Sequence, residues 1–219
     1  MDGKKLPPSK QIKYLGIFID ENLSWKYHIN QLSTKLSRAN GMLSKIRHFA
    51  TPSLLKSIYH AIFASHMRYG CIVWGQNGSP LRSKICNLQN KALRLMCFAD
   101  IFDKTKPLFV KMDLLQFTDI VLLENILFSH AFVTKTLPVS FQNFFTLANN
   151  VHCYETRRTS NVFFKVNMVN TTRYGLNSIK SIYIKSWNSL LLAHPTVDFL
   201  NIKRYNLVKL MQKNCLADF

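Results

Sequence analysis

Eleven lysines and arginines lie between Glu21 and Asp100 with no aspartate or glutamate among them: Lys26, Lys35, Arg38, Lys45, Arg47, Lys56, Arg68, Arg82, Lys84, Lys91 and Arg94. His28, His48, His60 and His66 fall in the same window. Ammonium and guanidinium groups without counter-charges suit one chemistry above others, the holding of phosphate oxygens with release of counterions. The whole chain carries 29 basic against 11 acidic residues, a formal charge of +18 over 219 residues. Such a surface repels itself unless a polyanion or salt screens it, which favours phosphate backbones as partners. The competing reading is a merely basic, solvated surface.

Other chemistries find no residues to carry them. The sequence has no glycine-rich phosphate loop, no G-x-S-x-G turn, no H-E-x-x-H helix and no histidine pair flanking a carboxylate at ligand spacing. The acid-free window also removes general bases where the cations are densest, so its histidines read as packing or phosphate-facing groups. Cys71, Cys86, Cys97, Cys153 and Cys215 are scattered without C-x-x-C pairing, which suits a reduced compartment and apolar packing roles. His152 beside Cys153 cannot close a tetrahedral zinc site alone, so no metal and no cofactor is expected. The longest apolar runs, Ile120 to Leu123 and Leu190 to Ala193, are too short to span a bilayer. Met1 to Pro8 has charge but no apolar block behind it, unlike a secretory signal. The expectation is an intracellular protein, nuclear or cytoplasmic, with no membrane and no small-molecule substrate.

These cations need elements to position them, and hydrophobic periodicity supplies several. Ile12, Tyr14, Leu15, Ile17, Phe18 and Ile19 read as one apolar strand buried on both faces, which implies a neighbouring sheet. Ile29, Leu32, Leu36, Ala39, Leu43 and Ile46 recur at three- and four-residue steps, one stripe of a long helix capped by Asn22 or Ser24. Lys35, Arg38 and Lys45 project from one flank of that stripe, either to ride beside a duplex or to solubilise a free face. Thr51-Pro52-Ser53 opens a second helix with Leu54, Leu55, Ile58, Ile62 and Phe63 inward. It ends near Tyr69-Gly70, where Gly70 reads as a cap or a point of close packing, and Val73-Trp74-Gly75 fits helix or strand. Gly78-Ser79-Pro80 starts a third helix with Ile85, Leu88, Ala92 and Leu95 inward and Lys84, Lys91 and Arg94 aboard.

Five of the 11 acids then cluster at Asp100, Asp103, Asp113, Asp119 and Glu124, which marks a boundary. A strongly apolar helix from about Asp113 to Val133 should be central, and Leu137-Pro138 breaks it before a short amphipathic piece through Phe141, Phe144, Phe145 and Leu147. Val162 to Val169 and Ser181 to Ile184 read as β-rich, and Asp198 to Leu216 as a closing basic helix. Trp25, Tyr69, Trp74 and Trp187 sit beside apolar neighbours and read as core anchors.

Two ordered sets of landmarks run through these elements. The first is Tyr14-Leu15-Gly16-Ile17-Phe18-Ile19-Asp20, Leu23-Ser24-Trp25, His28-Ile29, Tyr69-Gly70, Val73-Trp74-Gly75 and Leu88-Gln89-Asn90-Lys91-Ala92-Leu93-Arg94. The second is Thr156-Arg157-Arg158, Arg173-Tyr174-Gly175, Ser178-Ile179 and Ser186-Trp187-Asn188-Ser189-Leu190. Together they resemble the thumb and post-thumb region of reverse transcriptases from non-LTR, LINE-type retrotransposons, most closely the jockey-like group. The resemblance implies an α+β, mostly α fold in three parts. A palm-edge strand remnant covers residues 1–21, a thumb-like helical bundle 22–98, and a helical and β C-terminal lobe ending in a basic helix 99–219.

It also implies a function. Such polymerases hold two metal ions on an aromatic-Ala-Asp-Asp hairpin and an earlier aspartate. The lookalike here, Phe98-Ala99-Asp100-Ile101, has an apolar fourth position and follows the helices that should come after the palm. The chain is therefore expected to lack the catalytic palm and polymerase activity of its own. It is expected to bind an RNA–DNA hybrid or other duplex through phosphates, with an upstream palm as a possible companion. Lys35, Arg38, Lys45, Arg47, Lys91 and Arg94 are the first phosphate candidates, and Arg157, Arg158 and Arg173 the second group. A degenerate retroelement remnant, or a protein–protein module whose strand Ile12 to Ile19 joins another sheet, are the alternatives.

Overall fold

The computed structural model describes residues 10–76, 79–148, 162–166, 170–171 and 178–217. It is mostly helical with one two-stranded antiparallel sheet among the described residues, the expected α+β, mostly α class. The chain divides into two compact units, Met1–Phe117 and Thr118–Phe219.

In the first unit, the apolar run near the start is a hairpin and not one strand. Strands β1 (Gln11–Tyr14) and β2 (Ile17–Asp20) pair in the register Ile12 to Ile19 and Tyr14 to Ile17. The two-residue connection has both φ angles positive, 46° at Leu15 and 82° at Gly16, the backbone of a tight hairpin turn. Leucine in place of the usual asparagine hides this turn in the sequence. The expected burial on both faces also fails, since Ile12, Tyr14 and Leu15 are exposed.

Helix α1 (Lys26–Ile46) follows the predicted stripe as far as Leu43, burying Ile29, Leu32, Leu36, Ala39 and Leu43, but Ile46 at its last turn is exposed. Its cap differs from the expected Asn22 or Ser24: Trp25 occupies the N-cap with φ 60° and no side-chain capping bond. Asp20 closes the preceding turn instead, accepting from the Ser24 amide at 2.7 Å and hydroxyl at 2.8 Å. Burial opposes the charge of that carboxylate, but these bonds prevail and hold its pKa below the usual value.

Thr51 caps α2 (Pro52–Ile58) as predicted, its side chain accepting from the Leu54 amide. The helix then widens into a π-helical stretch, Tyr59–Ala64, before α3 (Ser65–Arg68). The wider turn puts Leu55, Tyr59, Phe63 and Met67 in the core and leaves Ile58 and Ile62 half-buried and Leu54 exposed. Gly70, at φ 61°, serves both roles proposed for it: it turns the chain into α4 (Cys71–Trp74), and a Cβ there would lie 2.5 Å from Ile17 Cδ1. Helix α5 (Ser79–Cys97) packs along α1, joined by the Asn40 side-chain amide donating to the Leu88 carbonyl at 3.0 Å. It buries Ile85, Gln89, Ala92, Leu93 and Met96, while Leu88 and Leu95 are half-buried. Helix α6 (Lys106–Met112), which the sequence reading did not anticipate, ends at Asp113 with φ 49°.

Gln89 ties this core together. Its amide donates to the Tyr59 hydroxyl at 2.9 Å and the Leu115 carbonyl at 2.8 Å, and its oxygen accepts from the Phe117 amide at 2.8 Å. Burial pushes the Tyr59 phenol up to about 12, so it remains a neutral partner. Trp74 stacks on Phe117 with centroids 5.5 Å apart. Tyr69 departs from its expected anchor role: the residue is 55% exposed, and its hydroxyl donates to the Leu15 carbonyl at the hairpin turn.

The second unit is built around α7 (Phe117–Val133), which starts four residues later than expected and buries Ile120, Val121, Leu123, Ile126 and Leu127. A short 3-10 turn, Val139–Phe141, follows. The predicted β character of 181–184 is overturned, because that segment lies within α8 (Ile179–Ala193), capped by Ser178. At 162–166 the chain makes a single bridge, Leu147 to Phe164, while 167–169 lie outside the described residues. The Trp187-Asn188 landmark fixes this segment. Trp187 Nε1 donates to the Val162 carbonyl at 2.8 Å, and Asn188 both donates to the carbonyl and accepts from the amide of Phe164. Phe145 stacks on Phe164 at 4.4 Å in the surrounding aromatic core. The closing helix α9 (Arg204–Ala217) begins later than Asp198, whose carboxylate instead organises the turn before it.

Candidate nucleic-acid interface

Helix α1 contains no acidic residue, and its buried stripe fixes which cations face outward. At 100° per residue, Lys35, Arg38 and Lys45 fall within about 80° of one another and span about 15 Å of axis. All three are exposed, and among the described residues none pairs with a carboxylate. Lys91 is likewise exposed on α5. Near the start of the same pair of helices, Lys84 Nζ donates to the Asn30 side-chain oxygen at 2.8 Å.

The two remaining candidates of the first group sit at the other end of this helix pair and are engaged there. The Arg47 guanidinium lies 5.0 Å from the centroid of the Phe98 ring, and its Nε donates to His48 at 3.3 Å. Arg94 donates twice to the Asp103 carbonyl, at 3.2 and 2.9 Å. Both keep their charge and N–H groups to spare. Lys56, by contrast, is neutralised by Asp113 at 3.1 Å. Arg157, Arg158 and Arg173 lie outside the described residues, as do His152 and Cys153.

The window's histidines divide by environment. His28 is 7% exposed and lies 5.3 Å from the Trp74 ring, with Nδ1 accepting from the Phe18 amide at 3.4 Å. Burial, reinforced by the charge of Lys35, holds its pKa below the ordinary value near 6.5. Partial desolvation does the same for His60, although that residue is exposed, with help from Lys56 and Arg68. His28 is thus a neutral packing group, while His48 and His66 are exposed. The Phe98-Ala99-Asp100-Ile101 run is not a strand hairpin: Phe98 leaves α5 at φ 55°, and Asp100 accepts from the amide of Ile101 in an exposed turn.

Composition disclosed the basic window but not the aromatic residues that share its surface. Phe49, Phe98 and Phe102 are exposed, and the Phe98 ring lies against Arg47 and His48. Their one sequence signal is phenylalanine placed just past a helix end among cations. Cys71 and Cys215 are buried, and Cys86 and Cys97 half-buried. No helix among the described residues is long and apolar enough to cross a membrane.

No protein-family model matches the chain, and no solved structure matches it. Two curated proteins do. The chain is 28% identical over 107 residues, 47% of its length, to the probable RNA-directed DNA polymerase from transposon X-element of Drosophila melanogaster. It is 28% identical over 112 residues, 49% of its length, to the RNA-directed DNA polymerase from mobile element jockey of Drosophila funebris. In each case the match spans 12% of the relative. About half of this chain is therefore related to a part of non-LTR retrotransposon reverse transcriptases.

Proposed function

We propose, from that relationship, that the first unit grips a nucleic-acid duplex by its phosphates on behalf of an RNA-directed DNA polymerase. The observation that carries the reading is the outer face of α1, where Lys35, Arg38 and Lys45 stand exposed and without carboxylate partners among the described residues. Cations on a rigid helix contact phosphates without reading bases, so the grip is tolerant of sequence and steep in salt. Lys91 extends the surface from α5. Arg157, Arg158 and Arg173 remain second-group candidates of the same proposal. Polymerisation itself would belong to carboxylates outside this basic surface.

Fluorescence anisotropy of the full chain with a random-sequence RNA–DNA hybrid across a salt series tests this. Binding should weaken steeply with salt, and a Lys35→Ala, Arg38→Ala, Lys45→Ala variant should reduce the log–log slope by about 2 to 3, near 0.9 per lost phosphate contact. A folded wild-type protein that binds no hybrid at low salt would sink the reading. A second reading, in which the hairpin joins a partner's sheet, is favoured by one observation, the exposure of Ile12 and Tyr14 on a two-stranded sheet. Retained hybrid binding after Ile12→Lys and Tyr14→Lys, with loss of a polymerase-derived partner, would separate the two.

A further inference from the structure

We propose that the end of the first unit bearing Phe49, Phe98 and Phe102 is a stacking platform for unpaired bases of single-stranded nucleic acid. The proposal rests on the nucleic-acid reading above and names which part of the substrate meets this surface. Phe49 is 91% exposed, Phe102 93% and Phe98 57%. None of the three rings is spent on the core, so their place in the fold is not explained by packing.

Phe98 is the most telling of them. It ends α5 at φ 55°, a left-handed position where glycine is the inexpensive choice and a bulky side chain is strained. Burial does not offset that strain. The ring is instead held by cations and aromatics at the surface, with Arg47 5.0 Å from its centroid and His48 edge-on at 5.7 Å. Arg94, four residues before Phe98, grips the Asp103 carbonyl and so draws the turn carrying Ile101 and Phe102 onto the end of α5. Phe49 directly follows His48.

Charge selects the occupant. Aromatic faces interleaved with guanidinium groups suit bases and phosphates together, because every base offers a π-face and its backbone offers an anion. The two nearby carboxylates do not oppose this as strongly as their number suggests. Asp103 accepts from the amide of Asp100 at 2.7 Å and Asp100 from that of Ile101 at 2.6 Å, so both are turned onto the backbone of their own turn.

The test compares a blunt RNA–DNA hybrid with the same hybrid carrying a six-nucleotide single-stranded extension, by anisotropy at fixed salt, with 2-aminopurine in the extension reporting stacking. The extension should tighten binding by about tenfold or more and quench 2-aminopurine. A Phe49→Ala, Phe98→Gly, Phe102→Ala variant should lose that gain and that quenching while binding the blunt hybrid as before. Phe98→Gly suits the local backbone, so the variant should fold, and circular dichroism checks it. Blunt binding with no gain from the extension, or a gain that survives in the variant, overturns the platform and leaves the duplex grip standing. So does self-association in sedimentation that the variant abolishes while its extension gain persists. Binding of the single strand alone, without the blunt hybrid, keeps the platform and removes the duplex grip.

Discussion

His28 shows how one side chain couples the hairpin, α1 and the surface charge. Its ring sits under the hairpin as a neutral acceptor for the Phe18 amide, and both burial and Lys35 disfavour its protonation. A histidine whose folded pKa is depressed binds fewer protons folded than unfolded below its ordinary value. Stability is then intact above about pH 6.5 and falls as pH drops from there toward the folded pKa. We expect the α1 amides to exchange faster at pH 5.5 than predicted from intrinsic rates at pH 7.5, and a His28→Gln variant to show a smaller loss. An equal loss in both would assign the effect to the other histidines shifted in the same direction, His60 and His130. At this scale the sequence disclosed identities but not partners. Gln89 stands inside a recognised landmark, yet its bonds reach residues 26 to 30 positions away, a separation that no local pattern encodes. Asn188 was likewise visible as a landmark and invisible as the residue that fixes Phe164. The αL placement of Phe98 broke the rule that such positions read as glycine.

Among the elements, those with a strong helical period were legible. The stripe of α1 and the Thr51-Pro52 start of α2 were read correctly because each rests on local chemistry. The hairpin, the π-helical stretch and α8 were not. A Leu-Gly turn lacks the usual signature, a widened turn shifts the inward face by one residue, and the β-branched residues of α8 are packed by tertiary contacts that override propensity. Gly41 offers a test confined to one element. It lies in the middle of α1 on the exposed side between Arg38 and Lys45, and a Cβ there meets nothing within 4 Å. Gly41→Ala should therefore stabilise the helix by about 0.5–1 kcal/mol in urea unfolding. Its affinity for a hybrid should stay unchanged if phosphates meet only the ends of Lys35, Arg38 and Lys45.

For the whole molecule, charge and ancestry point the same way. A chain with 29 basic and 11 acidic residues keeps all of its acidic side chains outside residues 22–99, and half its length is related to jockey-type RNA-directed DNA polymerases. Fold class and family region were both legible, the one from hydrophobic period and the other from ordered landmarks. The division at Phe117 was less so, because the composition change begins near Asp100 while the packing of Leu114 and Phe117 continues the first unit. The most direct test of the phosphate grip is lysine acetylation of the full chain, with and without saturating RNA–DNA hybrid, read residue by residue by mass spectrometry. The account predicts that Lys35 and Lys45 become protected by the hybrid while Lys56, already paired with Asp113, changes little. Equal labelling of Lys35 and Lys45 with and without a bound hybrid would contradict it.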